Sequence, residues 1–240
     1  MPKNHHRDVR ETIRAKRQWH TAPDAEAGER GFRGWHSRGY LPHFDMPGLV
    51  QFINYRLHDA MPLSRRHEWV ALLEIDDELK RRTRIEDYLD RGLGACLLRD
   101  PRSAAVVEEN WLHLDGREYR LLAWVVMPNH VHLLAEIWQR PQARLIKDWK
   151  GFTACRINQA LRRRGQLWQD DYWDRYIRDE AHYRRVVHYI EANPVKAGLV
   201  KAPELWSFSS ARFRDDHNRL RIPARWERGP PSPRVSYSLG

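Results

Sequence analysis

The order of the predicted strands and helices is the feature that most constrains the fold of this chain. Strands are predicted at 49–57, 118–126, 130–137 and 173–177, and helices at 103–113 and 141–164. Apolar runs and alternation indicate the strands, and apolar residues spaced three and four apart indicate the helices. The resulting β-α-β-β-α-β order is typical of an α+β, ferredoxin-like (RRM-like) domain, in which helices cover one face of an antiparallel sheet.

A pair of histidines lies in the third predicted strand. His130 and His132 flank Val131, and because an extended chain alternates between faces, both imidazoles point the same way. Two neutral imidazoles held on a strand suit a divalent cation that keeps positions open for a substrate. Triplets of this kind are common, and two partly exposed strand histidines are the simpler interpretation unless another part of the chain supports a site.

A helix about sixty residues later supplies that support. Asp179 is a good N-cap and Pro194 disfavours helical geometry at the preceding residue, so the helix is predicted from about 180 to 192. Its apolar stripe consists of Tyr183, Val186, Val187 and Ile190. At about 100° per residue, His182, Tyr189 and Asn193 cluster on one flank of that stripe. A hydroxyl and an amide are therefore one turn apart, where they can border a cleft.

These motifs resemble those of REP-associated tyrosine transposases, which belong to the single-tyrosine, His-hydrophobic-His (HUH) class of DNA strand-transfer enzymes. The resemblance is carried by 127–134 (MPNHVHLL), 168–179 (WQDDYWDRYIRD), the NPVKAG end of the helix, 38–45 (RGYLPHFD) and 206–211 (WSFSSA). It covers about residues 38–212 and implies an HUH-type nuclease domain. By this resemblance Tyr189 is the nucleophile, His130 and His132 bind the metal, and Asn193 supplies a third ligand or an orienting group.

The residue types suit that chemistry. Transfer of a DNA phosphodiester to a side chain needs a nucleophile and a Lewis acid on the phosphate. A tyrosine hydroxyl has a pKa of about 10 and needs nearby positive charge to ionise. Mg²⁺ or Mn²⁺ can accept two imidazoles and an amide oxygen and still bind water and phosphate oxygens. The expected products are a covalent phosphotyrosine and a free DNA hydroxyl, formed without a nucleotide cofactor.

Alternatives remain beside this assignment. Tyr183 and Tyr176 are competing nucleophiles, although both occupy predicted packing positions. Glu136 shares the histidine face and completes a cupin-like spacing; it is either a solvated strand-end residue or a group that tunes the metal without binding it. Leu134 stands where a metallo-hydrolase pattern requires an acid, which excludes that class. A non-catalytic binder of DNA hairpins on the same scaffold is the alternative function, although the intact set of site residues favours an enzyme.

The charge of the chain favours a polyanionic partner. It has 42 Lys and Arg against 32 Asp and Glu, a net charge of +10. Basic residues concentrate in the predicted helix 141–164, whose one acid is Asp148. Aromatic residues near 168–176 can stack on bases, and we expect one or two of them to do so. The candidate DNA-binding residues are Arg144, Lys147, Lys150, Arg156, Arg162, Arg163, Trp168 and Trp173.

The ends of the chain differ in composition from its middle. Residues 1–38 are expected to form a disordered basic arm, 39–212 the domain, and 213–240 a flexible tail. A charged insertion at about 60–100, helical at 77–91, has an open role. No apolar run approaches the roughly 20 residues that span a bilayer. We therefore expect a cytoplasmic, nucleoid-associated protein that acts on single-stranded or hairpin DNA, as a monomer or a homodimer.

Overall fold

The computed structural model describes residues 22–37, 42–75 and 77–223. Its helices are α1 (Ala25–Arg30), α2 (Arg66–Leu73), α3 (Glu78–Asp90), α4 (Pro101–Leu114), α5 (Gln142–Ala160) and α6 (Glu180–Lys196). Its strands are β1 (Gly34–Ser37), β2 (Pro42–Asp45), β3 (Leu49–Arg56), β4 (Tyr119–Val126), β5 (His130–Ile137) and β6 (Trp173–Tyr176). Short 3-10 turns occupy Leu63–Arg65, Leu97–Arg99, Pro203–Leu205 and Ser210–Phe213.

Four strands form an antiparallel sheet in the order β4-β5-β3-β6, and β1 pairs separately with β2. The first strand of the domain, β3, therefore lies in the centre beside β5, as the split β-α-β-β-α-β order requires. The register places Asn54 opposite His132 and Arg56 opposite His130. The predicted α+β, ferredoxin-like fold is confirmed.

The two faces of this sheet are covered by different helices. The face that carries Val131 and Leu133, which we call the core face, packs against α4 and α5. The opposite face, which we call the site face, carries the two histidines and Leu134 and packs against the apolar stripe of α6. The prediction of helices on one face therefore holds for α4 and α5, whereas α6 lies on the other side.

The ends of two helices differ from the predicted ones. α6 continues through Pro194 to Lys196, because backbone bonds from Ala197 to Asn193 and from Leu199 to Pro194 close its last turn. α5 ends at Ala160, before the predicted 164, since Arg162 adopts a positive φ of 50° that interrupts helical geometry. Arg162 and Arg163 thus follow the helix instead of lying on it.

The predicted arm and tail are partly ordered. Residues 25–30 and 34–37 form α1 and β1, with the Asp24 side chain accepting from the Ala27 backbone at the start of α1. At the other end, Phe213, Leu220 and Ile222 pack against the core, so 213–222 do not form a free tail. Residues 1–21 and 224–240 lie outside the described residues.

The insertion folds as two short helices, and the helix predicted at 77–91 is confirmed as α3, capped by Asp77. Across the three described ranges, no helix combines the length and apolar character that crossing a bilayer requires.

Candidate active site

Strand β5 fixes both predicted metal-binding histidines on the site face. Val131 is fully buried on the core face, which anchors the strand between them. His132 is fully buried and His130 is 2% exposed. Their ring centroids are 4.8 Å apart and the rings are nearly perpendicular, at 81°. The alternation of the strand therefore brings two imidazoles together in a place shielded from solvent.

The turn before β5 orients His130. The Asn129 amide donates to the carbonyls of Leu89 and Leu93, at 3.2 and 3.0 Å, which leaves its oxygen to accept from His130 Nδ1 at 2.8 Å. Nδ1 thus carries the proton and the lone pair is on Nε2, an arrangement common in metal-binding histidines. Nε2 is buried and makes no hydrogen bond within the described ranges.

Electrostatics keep His130 neutral. Burial, together with the smaller effect of the positive charges of Arg56 and Lys196, lowers the pKa of His130 to about 3. A neutral imidazole is the form that binds a metal ion.

Helix α6 contributes the predicted nucleophile and the third ligand. The Tyr189 ring contacts the edge of His132, with centroids 5.4 Å apart and planes at 77°, and Phe52 supports it at 5.9 Å. Asn193 lies one turn further along the same flank of the helix and is 1% exposed. Its amide nitrogen and oxygen make no hydrogen bond to any described residue. Tyr189 and the histidine pair are therefore adjacent in one chain.

The donor atoms suit a divalent cation. His130 Nε2 and the Asn193 oxygen are buried polar atoms whose burial without a partner is costly, and each is a donor type that a divalent cation can accept. In the described part of the chain, no group of three or more His, Cys, Asp and Glu is arranged to hold a metal ion. The fit therefore depends on imidazole nitrogens with an amide oxygen.

Sequence reasoning missed charged residues that border the histidines. Asp90, at the end of α3, places Oδ1 3.8 Å from His130 Nε2. Lys196, the lysine of the NPVKAG segment, lies 3.0 Å from Asp90 and 2.8 Å from Asp87. Burial raises the pKa of Asp90, and Lys196 opposes that rise. The lysine was visible in the motif, but nothing local connects the insertion to the histidine strand.

Strand β3 contributes two further residues beside the histidine pair. Asn54 and Arg56 occupy the register positions opposite His132 and His130, so they share the site face. Asn54 also pairs with Trp173 of β6, which extends the row across the sheet. Strand alternation within 49–57 was the signal that could have identified them.

The predicted DNA-binding residues divide into two groups. Trp168 is buried in the core, where its indole N–H donates to the Thr153 hydroxyl at 2.9 Å. It cannot stack on a base, and its inclusion was wrong. Lys150 Nζ donates to the carbonyls of three consecutive residues, 169, 170 and 171, at 2.8 to 3.0 Å. Arg163 similarly binds the Asn158 side chain and the carbonyl of residue 166. Lys150 and Arg163 therefore stabilise the segment that follows α5, because they donate hydrogen bonds to its backbone carbonyls.

The other members of that set have accessible side chains. Arg144, Lys147 and Arg162 are exposed and Arg156 is half-buried, on or just after α5. Since α5 covers the core face, these four lie across the sheet from the histidines. Trp173 is half-buried and packs edge-on against Phe52, with centroids 5.5 Å apart. It is the predicted stacking residue that borders the histidine row.

The competing residues have structural roles. Glu136 is buried and forms an ion pair with Arg120 at 2.7 Å, because β4 and β5 place the two side by side. The expectation of a solvated Glu136 was wrong. Tyr183 packs in the apolar cluster under α6. Tyr176 packs against Phe44 and Trp35. Both tyrosines therefore occupy packing positions, as predicted.

Residues 111–193, which contain the histidine pair and Tyr189, match the family described as "Transposase IS200 like". The chain is, more particularly, similar to REP-associated tyrosine transposases. It is 37% identical over 117 residues to that protein of Escherichia coli K12, covering 46% of this chain and 64% of the relative. A Haemophilus influenzae protein provisionally given the same name is 26% identical over 126 residues, covering 47% of this chain and 69% of the relative.

A solved REP-associated tyrosine transposase bound to a REP hairpin overlaps with a TM-score of 0.45 and 20% identity, covering 76% of this chain and 88% of the other. The resemblance predicted from the motifs is confirmed by the sequence matches. This chain spans just under two thirds of the E. coli relative's length.

Proposed function

We propose that this chain is a metal-dependent, single-strand DNA endonuclease and strand transferase. Its substrate is hairpin-forming palindromic repeat DNA, and its intermediate is a covalent phosphotyrosine at Tyr189. The observation that carries the proposal is the edge contact of Tyr189 with His132 on a buried face of the sheet. Packing alone does not require a hydroxyl beside two histidines, whereas phosphoryl transfer requires a nucleophile beside a cation site.

The residues divide the work as follows. Tyr189 Oη gives up its proton and forms a bond to phosphorus, while the bond from phosphorus to the departing DNA oxygen breaks and that oxygen takes up a proton. A divalent cation held by His130, His132 and Asn193 would supply positive charge to the phosphate oxygens. Because the phosphoester is exchanged rather than hydrolysed, the released hydroxyl can attack the phosphotyrosine in reverse and rejoin the strand.

Nearby basic residues and the Trp173 indole support DNA as the substrate. Arg56 is close enough to His130 to lower its pKa, so the charge of Arg56 also favours a phosphate there. Trp173 is half-buried next to Phe52 and offers a ring on which an unpaired base can stack. The exposed cations Arg144, Lys147 and Arg162 are suited to contact the phosphates of a hairpin stem at a distance from the cleavage point.

The test is the formation of a covalent protein–DNA adduct. The protein is incubated with a pool of hairpin oligonucleotides from repeats of the source genome, with Mn²⁺ or with EDTA, and separated by denaturing electrophoresis. We expect a Mn²⁺-dependent band shifted by attached DNA, which Tyr189→Phe abolishes while hairpin binding persists.

Tyr183→Phe is the matched control, since it removes the same hydroxyl from the same helix at a position packed in the apolar cluster. We expect it to retain the adduct. An adduct that survives Tyr189→Phe would contradict the assignment of the nucleophile. Hairpin binding with no adduct in any variant would instead identify a non-catalytic binder.

A further inference from the structure

We propose that Trp35 is a stacking platform for an unpaired base of the single-stranded DNA that flanks a hairpin substrate. Trp35 lies in the β1–β2 ribbon, the separate two-stranded sheet that β1 and β2 form. This inference rests on the proposed function and deepens it, because it names a second contact for the DNA strand outside the histidine site.

Trp35 presents its indole to solvent in a defined orientation. Its side chain is 60% exposed, and no other tryptophan within the described ranges is exposed. Phe44, its cross-strand partner in the ribbon, stacks against one face of the indole, with ring centroids 4.7 Å apart and planes at 24°. Tyr176 of β6 makes an edge contact with the indole at 6.0 Å. One indole face is therefore supported by protein, and the other is open to a ligand.

Buried hydrogen bonds fix the ribbon against the sheet. One carboxylate oxygen of Asp174 in β6 bonds to His43 Nδ1 of β2, and the other accepts from Gln142 Nε2 of α5 at 2.7 Å. The Asp174 side chain is buried. Gln51 of β3 also donates to the Phe44 carbonyl. The ring that supports Trp35 is therefore held in place before any ligand binds, which lowers the entropic cost of stacking.

The charges beside the indole suit a nucleic-acid strand. Arg33 is exposed two residues before Trp35, and Arg178 is exposed two residues after Tyr176, which contacts the indole. Two residues span at most about 7 Å of chain. Basic residues next to an aromatic ring are the combination that binds single-stranded nucleic acid, with phosphates paired to the cations and a base stacked on the ring.

The edge strand β6 connects this platform with the candidate active site. β6 begins at Trp173, which borders the histidine row, and ends at Tyr176, which contacts Trp35. The distance along the strand between these two residues is about 10 Å. A strand whose phosphate lies at the histidines can therefore follow β6 and place an unpaired base on Trp35. The bases of a duplex are already paired and stacked on one another, so the platform selects unpaired DNA.

The experiment measures binding of two fluorescein-labelled probes, oligo(dT) and a duplex of the same length, by fluorescence anisotropy in EDTA. The unmodified full chain is compared with Trp35→Leu, Trp35→Phe and Phe152→Leu. Trp35→Leu keeps an apolar side chain against Phe44 but has no ring, whereas Trp35→Phe keeps one. Phe152→Leu is the matched control, because Phe152 is a 52% exposed aromatic residue on the basic helix α5. Thermal unfolding by circular dichroism establishes that each variant is folded.

We expect Trp35→Leu to weaken oligo(dT) binding by about 5- to 100-fold, as removal of one base–aromatic stack does. Trp35→Phe should retain most of the affinity. Phe152→Leu should leave oligo(dT) binding within about twofold of the unmodified protein, and Trp35→Leu should leave duplex binding within the same range. Unchanged oligo(dT) affinity in Trp35→Leu would overturn the proposal, as would an equal loss in Phe152→Leu or an equal loss of duplex binding.

The covalent-adduct assay on the same proteins separates this proposal from the proposed function. A Tyr189-dependent adduct, together with oligo(dT) affinity that Trp35→Leu leaves unchanged, would overturn the platform alone. Oligo(dT) binding that depends on Trp35, together with no adduct from the unmodified protein, would contradict the strand-transfer chemistry and support the platform.

Discussion

The two faces of the central sheet contrast in what they bury. On the core face, α4 and α5 pack large apolar residues such as Trp111 and Trp149 against β5. On the site face, the same strand buries His130 and His132 beneath α6. Both faces bury apolar side chains, which stabilises the fold, but the site face also buries two imidazoles, and removing polar nitrogen atoms from water costs free energy unless a partner compensates.

This contrast shows that the location of charge cannot be inferred from its amount. The densest run of basic residues lies on and after α5, above the core face, and two of its members bind backbone carbonyls. The cations that affect the histidines are Arg56 from β3 and Lys196 from α6. A high net charge favours a polyanion in general but does not indicate which part of the surface would bind it.

The largest expected effect tests whether the core face carries the stability. Trp111 is fully buried and its indole N–H donates to the Tyr55 hydroxyl at 3.2 Å. We expect Trp111→Ala to lower the free energy of unfolding by about 3–5 kcal/mol, measured by urea denaturation. Trp173→Ala, the same change at a half-buried tryptophan of the site face, should lower it by about 1–2 kcal/mol. Equal losses would show that the two faces do not differ in this way.

A smaller effect separates structural from exposed cations on α5. Lys150 donates to three carbonyls, so Lys150→Ala should lower the free energy of unfolding by about 2 kcal/mol. Lys147 is exposed on the same helix, and Lys147→Ala should change it by less than about 0.5 kcal/mol. Denaturation curves of the two variants provide the comparison. If Lys147→Ala lowered the free energy of unfolding as much as Lys150→Ala does, the hydrogen bonds of Lys150 would not be the cause of the difference.

The smallest effect is a pH dependence contributed by the site-face helix. Burial, together with the positive charges of Arg175 and Arg178, lowers the pKa of His182 to about 4, whereas a histidine in the unfolded chain has a pKa of about 6.5. The unfolded chain therefore binds more protons between these values, and the stability from His182 is lost as pH falls from 6.5 toward 4. Between pH 7 and pH 5, the free energy of unfolding should fall less in His182→Gln than in the unmodified protein, as measured by urea denaturation at the two pH values. An identical loss would exclude this contribution.

The sequence predicted what depends on periodicity. Strand alternation assigned His130 and His132 to one face, and helical spacing placed Tyr189 and Asn193 on one flank of α6. What it missed depends on tertiary contact. Asp90 reaches His130 only because α3 folds back onto the start of β5, and nothing near Asp90 in sequence encodes that approach.

The two wrong predictions, for Trp168 and Glu136, concern residue types that suit more than one environment. A tryptophan suits a core and a base-stacking surface equally well, and Trp168 belongs to the core because the Thr153 hydroxyl meets its N–H. Glu136 was expected in solvent at a strand end, but the pairing of β4 with β5 brings Arg120 to it. In both cases the partner is distant in sequence and decides the outcome.

The Asn129 side chain has a consequence for cooperativity. Its NH2 group donates hydrogen bonds to the Leu89 and Leu93 carbonyls of the insertion, while its oxygen accepts one from the imidazole of His130. Docking of the insertion and occupancy of His130 therefore share one free-energy cycle, so if occupancy favours docking, docking favours occupancy by the same factor. A ligand at the histidines should slow amide hydrogen exchange at the end of α3, and a loosened insertion should weaken the ligand. The insertion thus acts as a second, reciprocal reporter of whether the site is filled.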